Sequence, residues 1–208
     1  MINNTEEHPV DMDIMGTAAN VYYFLIFVVF VVLCTDLSGH TAKNVISSGI
    51  SRKTYYLSKL VLSLGLGTVF ILFHTYGGYF GNLLINGSGF SSSLYDVTIV
   101  MLRQFPVFYG IIAVLVMLSA ILQKTAKFNA VAIGMVMGIQ LLFMVVGGIT
   151  GWDLQPIQQF EFNTIIQSMA VVGSVSTQTL VVGVGTGVVM VVGATMIGMQ
   201  YFKKCTIK

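Results

Sequence analysis

Val21 to Cys34 reads VYYFLIFVVFVVLC, fourteen residues without a charge. Extended back to Gly16 it makes 19 residues, which as a helix is close to the ~20 needed to cross a hydrocarbon core of ~30 Å. A soluble protein hides such a stretch beneath a polar coat. This chain has no material for one: of 208 residues, 55% are hydrophobic and 9% charged, with a mean hydropathy of +0.86. Soluble domains carry roughly a quarter charged residues. Lipid must stand in for the coat, and a soluble domain is excluded.

Further charge-free stretches lie downstream. They place additional helical spans at about 57–80, 105–122, 128–149 and 179–202. In the 105–122 span, Pro106 suits the first turn of a helix and Arg103 is expected just outside it. The uncharged run from Phe162 to Phe202 covers 41 residues, about twice one span. The crossing is therefore set at 179–202, with 158–178 as a polar helix or re-entrant segment on one surface. The expected fold is an all-α integral membrane bundle of about five transmembrane helices, forming one domain over 1–208, with a loop at 35–56 between the first two spans.

Basic residues orient the bundle. Lys43, Arg52, Lys53, Lys59, Lys124, Lys127, Lys203, Lys204 and Lys208 fall on one side, nine of the ten Lys and Arg. Glu6, Glu7, Asp11, Asp13, Asp96, Asp153 and Glu161, seven of the eight acids, fall on the other. The positive-inside rule then expects an external N-terminus and a cytoplasmic C-terminus, with multi-pass insertion in the cell membrane. The first thirteen residues hold four acids and no Lys or Arg, unlike the basic opening of a signal peptide.

Several chemistries are excluded. A net charge of +2 without a basic, aromatic-studded patch gives no case for nucleic acid. Cys34 and Cys205 stand in no metal or redox spacing and read as two unpaired thiols. No span carries an acid, so the usual catalytic pairs of membrane enzymes and the midplane carboxylates of ion-coupled transporters are lacking. There is no GxxxxGK[ST] loop for nucleotide phosphates. No catalytic residue, cofactor or metal site is expected, and His8 and His40 fall on opposite sides of the membrane. His74 is the ionisable group within a span; it reads as a neutral imidazole bonded to a neighbouring helix, or as a polar residue lining a translocation path. Gly134 with Gly138, Gly183 with Gly187, and Ala194 with Gly198 have helix-packing spacing, expected to serve contacts within the chain before a dimer seam.

In the loop, Ala42, Val45, Ile46, Gly49 and Ile50 form one apolar or small stripe, opposite Lys43, Asn44, Ser47 and Ser48. This predicts a short amphipathic helix over 41–50. Two roles are open to it: resting in the lipid interface among anionic headgroups, or laying its stripe into a groove of a cytoplasmic protein.

The order Asp36, Thr41, Lys43, Asn44, Gly49, Ile50, Ser51, Arg52, Lys59 resembles the first cytoplasmic loop of ABC-2 type ABC transporter permeases, with His40 departing where a Gly often precedes the Thr. The resemblance covers most of the chain through the order of later spans. It implies a coupling helix that contacts a separate ATPase subunit through Asp36, Thr41, Lys43, Val45, Ile46, Ile50 and Arg52. It also implies a second permease copy or a homologous permease as partner, and export as the expected direction of transport. Such permeases usually have six spans and both termini inside, so the chain is expected to be a shortened or N-terminally incomplete permease. A non-transport scaffold or sensor subunit, its basic loop meeting lipid, is the competing class.

The sidedness is directly testable. Single cysteines placed at Ser92 and Thr164 in a Cys-free background should react with an impermeant thiol reagent on intact cells, and one at Ser48 should not. Labelling at Ser48 from outside would invert the arrangement.

Overall fold

The computed structural model describes residues 18–39, 41–86, 93–171, 173 and 175–205. The described residues are helical almost throughout, in the order α1 (Ala18–Val29), a π-helical turn (Phe30–Cys34), α2 (Thr35–Ser38), α3 (Thr41–Ser47), α4 (Arg52–Asn86), α5 (Leu94–Leu122), α6 (Thr125–Thr150), α7 (Gln155–Gln158), α8 (Phe162–Ser168) and α9 (Thr177–Lys204). Val21–Ser38, Arg52–Ile85, Leu94–Leu122 and Thr177–Lys204 are long and apolar enough to cross a membrane. The protein is an all-α membrane protein.

α5 is the hub. Its inward face, including Val97, Val100, Phe108, Ile112, Leu115 and Val116, is buried, and α1, α4, α6 and α9 all pack on it, α9 most extensively. The outward faces are apolar too: Val61, Val69, Phe73 and Leu84 of α4, Leu141, Leu142 and Ile149 of α6, and Val181, Val189 and Ile197 of α9 are exposed. Those faces suit contact with lipid tails, so burial from water cannot drive the helices together there and close packing must.

Glycines provide the closeness. A Cβ at Gly187 of α9 would overlap the Pro106 carbonyl of α5, one at Gly183 would overlap the Met169 side chain, and one at Gly198 would overlap the Tyr56 ring. On α5, a Cβ at Gly110 would come within 2.9 Å of Met190 Cβ and 3.2 Å of the Gly187 carbonyl. The small-residue pairs 183/187 and 194/198 thus serve contacts within the chain. Gly134 and Gly138 meet nothing within 4 Å, so that pair makes no such contact.

One helix start differs from expectation. α5 begins at Leu94, eleven residues before the expected span at 105, which places Arg103 and Pro106 inside the helix. The cause is a capping box: Ser93 Oγ accepts from the Asp96 amide at 3.1 Å, and Asp96 Oδ2 accepts from the Ser93 amide at 3.2 Å, satisfying donors that a helix start otherwise leaves open. Pro106 forfeits one helical hydrogen bond, at the level where Gly187 brings the α9 backbone against it. Among the described residues between 150 and 177 the helices are the short α7 and α8.

Gly187→Ala should force α5 and α9 apart and, by analogy with overpacked cores, cost about 1–3 kcal/mol. This should read as a lower midpoint of thermal unfolding in detergent. Gly185→Ala, where a methyl meets nothing within 4 Å, should leave the midpoint unchanged. Equal midpoints for the two variants would refute the close-approach account.

Candidate functional site

The loop between α1 and α4 is built by recognisable local chemistry. Gly39 ends α2, its amide donating to the Thr35 carbonyl at 2.8 Å. Gly49 follows α3 at φ +100°, a left-handed conformation natural to glycine, and its amide returns to the Ile46 carbonyl at 3.1 Å. Ser51 Oγ then accepts from the Thr54 amide at 3.1 Å, capping α4. Gly49 and Ser51 therefore have local reasons to stand where they do.

Next to this loop three helix ends are tied together. Asp36 pairs with Lys59, their side chains 23% and 20% exposed, and the Tyr55 hydroxyl donates to the same carboxylate at 3.1 Å. The Lys59 ammonium stands 5.6 Å from the centre of the Tyr55 ring. Arg52 Nη1 donates to the carbonyls of Lys203, at 3.2 Å, and of Cys205, so the end of α9 is fastened to the start of α4. Phe202 stacks on Tyr55 with ring centres 5.9 Å apart and lies 6.1 Å from Tyr56.

These contacts divide the expected coupling residues. Asp36 and Arg52 face inward as ties between helices. Ala42 is buried, and Val45 and Ile46 are half-buried against the chain's own core. That part of the stripe lies on the chain's own bundle, while Gly49 and Ile50 of the same stripe are exposed. Outward stand Thr41, Lys43, Asn44, Ser47, Ser48 and Ile50, all exposed.

His74 is half-buried on α4 beside Phe24, ring centres 6.1 Å apart. It lies apart from the coupling residues. His8 and His40 lie outside the described residues. Among the described residues no group of three or more His, Cys, Asp or Glu is placed to hold a metal ion. Cys34 is buried, Cys205 is half-buried, and both are free thiols.

Sequence reasoning missed a second anchorage at the opposite end of the bundle. Buried Gln104 donates Nε2 to the Ile166 carbonyl at 2.9 Å. Arg103 donates Nη1 to the Val171 carbonyl at 3.2 Å and Nη2 to the Gly173 carbonyl at 3.0 Å. Two adjacent α5 side chains thus hold α8 and the segment after it, while Phe162 stacks on Tyr22 of α1 at 5.3 Å. The available signal was Arg103 itself, the basic residue on the acid-rich side. Compared with known protein families, characterised proteins and solved structures, the chain shows no match.

In a double-mutant cycle, Lys59→Met and Asp36→Asn should each destabilise more than their combination implies, because either alone strands a partner. The expected coupling energy is about 1–2 kcal/mol, between an exposed pair and a buried one. Additive effects in thermal or denaturant unfolding would refute the tie.

Proposed function

We propose that the chain is the membrane-spanning permease subunit of an ABC transporter of the ABC-2 type. In this reading a separate subunit hydrolyses ATP, and a second permease copy or homologous permease completes the complex. The chain crosses the cell membrane five times, α6 supplying the fourth crossing, with the N-terminus external and the basic end cytoplasmic. Export is the direction in this reading. At 26 residues and 1.5 Å per residue, α6 is ~39 Å long, ample for a ~30 Å core.

The observation that carries the reading is a polar helix joined to three others. α3 presents Thr41, Lys43, Asn44 and Ser47 outward, and Ser48 follows in the turn after it, also exposed. Through α2, the Asp36, Tyr55 and Lys59 cluster and the Arg52 bonds to α9, a push on α3 reaches α1, α4 and α9 together. That layout suits a lever. It suits a lipid-resting helix less well, because Ala42, Val45 and Ile46 of the apolar stripe lie against the chain's own core.

The test is recovery of an ATPase subunit from detergent-solubilised membranes by the tagged chain. Wild type should bring down an ATPase. Asn44→Trp and Ser47→Trp, which crowd the exposed face, should abolish recovery at unchanged melting temperature. Lys43→Glu should weaken it less, since an exposed ion pair is worth under about 1 kcal/mol. The isolated chain should bind no ATP. Recovery of no ATPase by the wild type, undiminished recovery by both Trp variants, or saturable ATP binding by the chain alone would each overturn the reading.

A further inference from the structure

The segment from Gln155 to Gln178 carries five of the nine glutamines in the chain, an unusual concentration of carboxamides for so apolar a protein. Within it, α8 is a fixed platform. Its inner face, Phe162, Ile165 and Ile166, is buried, held by the Tyr22 stack and by the Gln104 and Arg103 bonds to backbone carbonyls. What α8 turns outward is therefore presented in a defined place.

Two cavities flank it. One of about 340 Å³ lies toward α6, walled by Phe143, Met144, Gln158, Glu161, Asn163 and Gln167. The other, of about 310 Å³, lies toward α9 and is lined by hydroxyl and carboxamide groups including Gln159, Ser168 and Gln178. Thr164 lines both.

Glu161 is the charged residue lining either cavity. Thr164 holds its Oε2 by the backbone amide at 2.8 Å and the hydroxyl at 3.0 Å; among the described residues Oε1 has no hydrogen-bond partner. No Lys or Arg lines either cavity, and the guanidinium of Arg103 is engaged by two carbonyls. A lone carboxylate with an open oxygen, side-chain carboxamide oxygens beside it and an aromatic wall together suit an ammonium group, which offers three donors and favours a ring face. A divalent ion would require more oxygen ligands with charge. Asp96 and Asp153 belong to the same acid-rich side of the sequence, a charge pattern that draws cations toward it.

We infer that the cavity toward α6 is a binding site for a protonated amine, with the ammonium at Glu161 and Phe143 and the rest of the ligand among Gln158, Asn163 and Gln167. A lysine side chain of a peptide and a free small amine share this chemistry. The site stands independently of the transporter reading: its assay needs neither ATP nor an ATPase, so failure here leaves that reading intact, and the reverse holds too.

The experiment is calorimetric titration of the full chain in lipid nanodiscs with three probes: a lysine-containing tripeptide with blocked termini, 1,5-diaminopentane, and the same peptide acetylated at Nε. Saturable binding of an amine probe, absent for the acetylated peptide, is expected. Tighter binding of the peptide assigns the site to peptide side chains, and tighter binding of the diamine to free amines. Glu161→Gln, which keeps an acceptor for Thr164, should weaken binding at least about tenfold, as loss of a charged hydrogen-bond partner does. Phe143→Leu, which keeps an apolar wall, should weaken it several-fold and serves as the second reading if the first variant folds poorly. Equal binding of the acetylated probe, no saturable binding by the wild type, or wild-type affinity in either variant that folds would overturn the site.

Discussion

The approach of α9 to α5 is the contact on which the other packing rests. Where lipid tails are as apolar as the side chains, helices gain little by hiding valines from one another, and attraction has to come from short-range contact over a continuous surface. Gly187 against the Pro106 backbone, with Gly110 opposite, sets that distance. Because the two helices are close along much of their length, Gly183 can admit Met169 from beyond α8, and Gly198 can admit Tyr56 from α4. The anchorages at the two ends of the bundle are thus both served by one row of missing side chains on α9.

At the basic end, the ties join groups of different kinds for one purpose. A carboxylate, a phenol and an ammonium meet at Asp36, and a guanidinium caps the last carbonyls of α9. Carbonyls left open at a helix end and a cation suit each other electrostatically. The result is that α3, short and exposed, hangs from a rigid frame. The acid-rich end follows a parallel logic with α8 as the suspended element and Arg103 and Gln104 as its ties.

The apolar helices were legible in the sequence because an uncharged run of span length has few other physical uses, and the small-residue spacing on α9 correctly marked close contacts. The start of α5 was hidden: Asp96 looks like any loop acid until Ser93, three residues earlier, is recognised as its capping partner. Periodicity in 41–50 identified a stripe but not what covers it, since a pattern of apolar residues is the same whether the neighbour is another protein, lipid or the chain itself. The Arg103 and Gln104 anchorage escaped notice for a different reason. Its acceptors are backbone carbonyls, and every residue has one, so no residue type signals them.

The π-helical turn at Phe30–Cys34 bears on all of this through angle. A turn of that kind accommodates one residue more than an α-helix would between the same two ends, and in a helix each residue advances the side-chain direction by about 100°. The surplus residue therefore works as a phase correction. α1 can keep Leu25 and Val29 pointed into the core above it, while below it Asp36 comes round to face Tyr55 and Lys59. Without that correction, a helix regular from end to end would carry the acid about a quarter-turn away from Tyr55 and Lys59.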